Sequence, residues 1–222
     1  DIADCTSLRE HSDVVYDPDD PNLGTYPERL YKCYVTATID GEGDRIHVAF
    51  SADGASWSTP VETDLTLNYQ DPAVCTVFGD DRRVWRDGDG DMHVYTEGAS
   101  GAVRHHSSAD GITFGSPTAV ISGGGTGIWD QGVGSPSVRR TTAGVFVMVY
   151  AGILPAVEGA GAATASAPEG PFTKNAGNPI WYPDDEANID NSIVVDSFYL
   201  DADAGVVYFL AHSGKANADT VF

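Results

Sequence analysis

A seven-residue pattern recurs at a nearly constant interval, and this limits the fold more than any other feature of the chain. Ser51-Ala52-Asp53-Gly54-Ala55-Ser56-Trp57 returns 57 residues later as Ser108-Ala109-Asp110-Gly111-Ile112-Thr113-Phe114. A looser copy, Ser166-Ala167-Pro168-Glu169-Gly170-Pro171-Phe172, follows after another 58 residues, its aromatic two rather than three places beyond the glycine. Each copy follows an alternating or apolar stretch, at 46–50, 103–106 and 162–165. Asp-Gly after such a stretch reads as a tight turn, and the aromatic is expected to plug the core beyond it. A repeat of this length means a supersecondary unit that buries its faces only by stacking on its neighbours.

A second repeated element opens each unit: Asp71-Pro72-Ala73-Val74, Ser135-Pro136-Ser137-Val138 and Asp190-Asn191-Ser192-Ile193. A Gly or Asp turn follows, then a β-rich strand, at 92–96, 145–150 and 206–211, with an earlier equivalent at 30–36. No helical period of useful length is present. Short strands in units of this size, joined by Gly-rich connectors such as 122–127, are the pattern of propeller blades. The sequence therefore predicts an all-β chain of the five-bladed β-propeller type, a single domain over 1–222 with blade units near 12–66, 69–121, 130–180 and 188–222. The fourth unit stops where its own turn motif would fall. The expectation is an incomplete ring, a piece of a five-bladed propeller, with closure by the N-terminal strand as the alternative.

Composition sets the surroundings. The 222 residues carry 33 acidic and 12 basic side chains, a formal charge of −21, so nucleic acid is a poor partner. Asp outnumbers Glu 25 to 8 and Arg outnumbers Lys 9 to 3. That skew predicts a salt-adapted protein, because salt screens the repulsion between short, hydrated Asp carboxylates. No apolar run approaches the ~18 residues of a membrane span, and the first residues lack the basic start and apolar stretch of a leader. A secreted or periplasmic location, in mature form, is expected over a cytoplasmic one. Cys5, Cys33 and Cys75 allow at most one disulfide and show no zinc spacing.

These residues resemble the five-bladed propeller glycoside hydrolases, the superfamily of arabinanases, β-xylosidases, invertases and levansucrases, family 43 above all. Asp71-Pro72-Ala73-Val74 followed by Asp91-Met92-His93-Val94-Tyr95-Thr96-Glu97-Gly98 is similar to the family's "DP" strand start and second strand. Residues 132–138 with 145–152 resemble a later blade, and Asn178-Pro179-Ile180 and 190–214 continue the likeness. The resemblance implies cleavage of an arabinofuranosidic, xylosidic or fructosidic bond by two carboxyl groups in a central funnel, with inversion. It places Asp71 and Asp190 at the funnel, Asp71 as general base or as the Asp that orients the acid. The family's usual acid, a Glu just before a small residue and proline, falls here on Gly134. The candidates in its place are Glu97, Asp130 and Glu186, and Asp130 is preferred for its loop and its neighbour Trp129. Trp129, Trp85, Trp181, Gln131 and Ser135 complete the expected sugar-binding set. No metal or other cofactor is required, though some relatives hold calcium or sodium in the channel. A carbohydrate-binding propeller without an acid is the alternative, and a sialidase-like propeller the third reading.

The remaining motifs read as structure. The Asp-Gly boxes lie between outer strands. Asp87-Gly88-Asp89-Gly90-Asp91 looks like a calcium loop but lacks its later Glu, so a hairpin is expected, as for residues 201–205. Of His105 and His106, one is expected in the core and one in solvent. Arg82, Arg83 and Arg86 are expected to form a surface ion-pair network with Asp80, Asp81 and Asp87.

Overall fold

The computed structural model describes residues 5–39, 43–65, 69–80, 82–98, 101–154, 157–182, 193–201 and 206–213. They form four sheets that follow one another along the chain, with no α-helix among them. In the first sheet β1 (Cys5–Tyr16), β2 (Tyr31–Ile39), β3 (Gly43–Ser51) and β4 (Val61–Glu62) lie in chain order. The second is β5 (Tyr69–Val74), β7 (Met92–Gly98), β8 (Ala102–Ser108) and β9 (Thr118–Ser122). The third is β10 (Gly132–Arg140), β11 (Phe146–Leu154), β12 (Val157–Ala165) and β13 (Thr173–Lys174), joined on its other side by β6 (Thr76–Val77), which runs parallel to β10. The fourth is β14 (Ile193–Asp201) with β15 (Val206–Ser213). Pairing within each sheet is otherwise antiparallel. The first sheet begins at Cys5, earlier than the expected 12, because 5–11 carries no apolar alternation to mark it as a strand.

Both faces of the second sheet are buried, and β7 shows how. Met92 and Val94 join Val15, Tyr34, Ile46 and Val48 in a cluster against the first sheet. Tyr95, one residue out of phase, joins Val133, Val138, Phe146 and Met148 against the third. Period-2 alternation with both phases apolar is what a sheet stacked between two others requires. This face-to-face succession of sheets is that of a β-propeller. It also corrects the expectation for the histidines. His105 and His106 point to opposite faces, and both are buried, at 7% and 1% exposed, because neither face meets solvent.

The first two boxes fold as the same turn, and the third, one residue longer, keeps of that turn only its positive-φ glycine. Gly54 and Gly111 both have φ +74° and Gly170 +70°, where a side chain would be strained. Asp53 Oδ1 accepts from the N–H groups of Ala55 and Ser56, and Asp110 Oδ1 from those of Ile112 and Thr113. The Ser51 and Ser108 hydroxyls accept from Gly54 and Gly111. These backbone donors hold the exposed Asp53 carboxyl down at about 2. Phe114 then packs on Tyr34 of the preceding sheet, and Phe172 on Tyr95. Trp57 does not plug a core and is 37% exposed, since among the described residues no sheet precedes the first.

The boxes also tie each sheet to the one before it. The Tyr34 hydroxyl donates to the Gly111 carbonyl at 2.9 Å, and Tyr95 to the Pro168 carbonyl at 2.8 Å. Between the first two sheets Lys32 Nζ lies 2.6 Å from Asp17 Oδ2 and 2.7 Å from Asp20 Oδ2, all three fully buried. Arg86 grips the same Asp17 through two nitrogens and donates to the Gly90 carbonyl. Burial alone would raise the Asp17 carboxyl, but these two cations outweigh it and hold it low. The arginine cluster is therefore only partly the expected surface network. Arg83 pairs with Asp80 and Asp19 in solvent, whereas Arg86 is an interior clamp and Arg82 pairs with Asp13.

Candidate active site

The innermost strands of the second and third sheets carry the same defect. The β5–β7 register breaks between Gln70 and Ala73, and the β10–β11 register between Gly134 and Ser137. The residues in the break, Asp71-Pro72 and Ser135-Pro136, place Asp71 at φ +53° and Ser135 at φ +42°. Left-handed backbone on a non-glycine residue ahead of a proline is unfavourable by about 1–3 kcal/mol, and such strain concentrates at functional sites. Each bulge turns its residue's N–H out of the ladder. The Asp71 N–H donates to Thr36 Oγ1 at 3.3 Å, and the Ser135 N–H to Glu97 Oε2 at 3.3 Å.

Thr36 and Glu97 are themselves equivalent. Tyr31 pairs with the box serine Ser51 and Met92 with the box serine Ser108, and each acceptor lies five residues beyond. At the first junction the acceptor is a hydroxyl; at the second it is a carboxyl. Glu97 reaches Asp71, and the Ser135 hydroxyl donates to Asp71 Oδ2 at 3.1 Å, so three strands bring two acids and one hydroxyl together. Burial first, and the Asp71 charge next, push the Glu97 carboxyl up to about 7, with the Ser135 N–H pulling the other way. A carboxyl in this range holds its proton near neutrality and can give it up, which is what a general acid needs.

Gly134 explains its own identity. A Cβ built there would fall on Glu97 Oε2, so the place the resemblance reserves for a glutamate side chain is filled by a carboxyl from the neighbouring sheet. Glu97 is one of three candidates in the sequence, where Asp130 is preferred to it and to Glu186. The signal that singles it out is its alignment with Thr36 through the box serines.

Asp130 is not part of this group. It is 3% exposed, and its Oδ2 lies 2.5 Å from Lys174 Nζ on the outermost strand, with Tyr150 as a further partner. Its carboxylate is paired with a half-buried ammonium and does not touch Glu97 or Asp71. Asp190 and Glu186 lie outside the described residues. Ser135 touches the two acids and so takes a different role from the sugar contact expected of it. Gln131 is exposed, its Oε1 accepting from the Gly127 N–H. Trp85 is partly buried against the core, stacked on His93, edge-on to Phe146 and under Arg140, at the end of β10 opposite Gly134. Trp129 covers Gly152, whose partner Val133 adjoins Gly134, and stacks on Tyr150. Trp181 is bridged to Ala160 in the same region, and Tyr182 beside it is 37% exposed.

Asp87 closes a turn by accepting from the N–H groups of Asp89 and Asp91. Among the described residues no group of three or more His, Cys, Asp or Glu is placed to hold a metal ion. No helix among them is long and apolar enough to cross a membrane.

No family model and no curated protein matches the chain by sequence. Solved structures match it by shape. A thermostable family-43 glycoside hydrolase superposes with a TM-score of 0.64 at 17% identity, covering 92% of this chain and 65% of its own. A glycosyl hydrolase from Bacteroides ovatus gives 0.67 at 18%, covering 97% and 63%. A β-1,2-mannobiose phosphorylase from Listeria innocua gives 0.67 at 13%, covering 96% and 56%. The chain thus spans less than two thirds of the length of these proteins. At such identities the likeness is one of architecture, and the chain has the β-propeller fold shared by family 43 glycoside hydrolases and their structural relatives.

Proposed function

We propose that this chain cleaves a glycosidic bond in an oligo- or polysaccharide, with Glu97 as the general acid. The observation that supports this most is the Glu97 carboxyl raised to about 7 beside Asp71. Asp71 lies beside Glu97 and raises its carboxyl, which suits a partner of the acid better than a base standing across the sugar at ~6.5–9.5 Å. Its role is therefore to orient the acid and raise it. Glu97 protonates the leaving oxygen. The second carboxylate is assigned to Asp190, whose sequence position repeats that of Asp71 and Ser135, and it activates the attacking water with inversion. Trp129 and Trp181 supply the apolar faces on which sugar rings stack.

Arabinofuranosidic, xylosidic and fructosidic bonds are the proposed substrates, and a secreted protein of a salt-adapted host is the proposed setting. The test is cleavage of arabino-, xylo- and fructo-oligosaccharides between pH 4 and 9, in molar and in low salt, by the native chain and by Glu97→Gln. Cleavage abolished by Glu97→Gln supports the reading. Binding without cleavage by the native chain would replace it with a carbohydrate-binding propeller.

A further inference from the structure

We propose that Ser135 is the positioning residue that divides one proton between the two acids, its hydroxyl keeping Asp71 ionised so that the proton stays on Glu97. The proposal rests on Glu97 being the general acid. Ser135 is buried, at 6% exposed, and both of its donors are used on this pair: the N–H on Glu97 Oε2 and the hydroxyl on Asp71 Oδ2.

The two strand breaks show why a serine is needed. Asp71 and Ser135 hold equivalent kinks, and an aspartate at 135 matching Asp71 would add a third carboxylate against the other two. Ser135 presents a hydrogen instead. A hydroxyl has one proton to donate, and giving it to Asp71 commits Asp71 as an acceptor. The left-handed backbone at φ +42° aims the N–H and the hydroxyl at different acids at once, and Pro136, with no N–H of its own, brings no competing donor. The other groups facing the pair do not replace this hydrogen bond. Thr36 accepts from the Asp71 N–H, the Glu158 charge acts on Glu97 from β12, and Arg104 on β8 lies against Gly98.

Removing the hydroxyl destabilises ionised Asp71 whether Glu97 is protonated or not. The more alkaline proton loss, from Glu97, therefore stays where it is. The more acidic step, uptake of a second proton by the pair, becomes easier and moves toward neutrality by about one to two pH units. Ser135→Gly is the suitable variant, since glycine accepts the positive φ and keeps the N–H.

The experiment is a 13C carboxyl NMR titration of the 222-residue chain, native and Ser135→Gly, with Glu97→Gln to assign the resonance, alongside the pH profile of kcat/KM. An upward shift of the acid step alone, with the alkaline limb of kcat/KM staying in place, is expected. An acid step that does not move, or both steps moving together, would overturn the role of Ser135. A shifted acid step in a chain that cleaves no oligosaccharide would sustain the proton division while removing the glycosidase reading, so the two fail separately.

Discussion

Ser135 and Asp71 stand at equivalent left-handed kinks in neighbouring innermost strands, and the hydroxyl of one donates to the carboxylate of the other at 3.1 Å. Around that contact the second junction differs from the first by little more than an acid in place of a threonine. The repeat that builds the scaffold thus also brings the two acids together, at the point where one copy departs from another.

Glu97 is expected to act as an acid with a raised carboxyl, so kcat/KM falls as pH rises through about 7, where the proton is lost. Glu97→Gln should lower kcat by about 10²-fold or more, with the fold unchanged by circular dichroism. In Asp71→Asn the neighbouring charge that raises Glu97 is gone, and the alkaline limb should move to lower pH. A limb that stays in place in that variant would separate Asp71 from the acid.

Gly134→Ala puts a methyl group where Glu97 Oε2 lies. The carboxyl must swing away from Asp71 and toward water, which lowers its proton affinity. We expect kcat to drop by at least about tenfold and the alkaline limb to shift downward. A variant with native kcat and an unmoved limb would show that Glu97 can act from another position.

Acid should unfold the protein through its interior histidines. His93 and His105 share a proton across 2.8 Å, Nδ1 to Nε2, and are stacked. Burial above all, with the neighbouring histidines adding to it, pushes His105 down to about 3, while burial and Arg104 take His106 to about 4. A depressed histidine binds its proton more readily when unfolded, where the ordinary value is ~6.5. Its contribution is complete above ~6.5 and declines as pH falls toward 4 and 3. Tm measured from pH 8 to 4 should therefore fall below about 6.5, less steeply in His105→Gln. Equal slopes would assign the acid lability to other groups.

Lys32→Met leaves Asp17 and Asp20 buried with only Arg86 to balance them. Breaking a buried charge group in this way costs about 3–5 kcal/mol, which urea unfolding would detect as a lower midpoint at similar slope. A loss below 1 kcal/mol would mean that water enters the cluster.

At a net charge of −21 the folded surface repels itself. Tm should rise between 0.05 and 2 M sodium chloride as the screening length drops from about 14 to 2 Å. A flat profile would remove the salt-adapted reading.

The sequence alone determined the scaffold. The spacing of the Ser-x-Asp-Gly boxes and the Asp-Pro and Ser-Pro strand starts required repeated β units, since glycine at positive φ and a proline break are local demands met within a few residues. The strand break at Asp71-Pro72 was legible for the same reason. Glu97 and Asp130 were not separable in sequence, because the difference between a carboxyl raised by its surroundings and an ion-paired one lies in which side chains the fold brings against it: Ser135 and Asp71 for one, Lys174 for the other. The burial of both His105 and His106, and of Arg86, was not legible on the same ground. Their burial follows from sheets covering both faces of the second sheet, and stacking between units 57 residues apart is decided only in three dimensions.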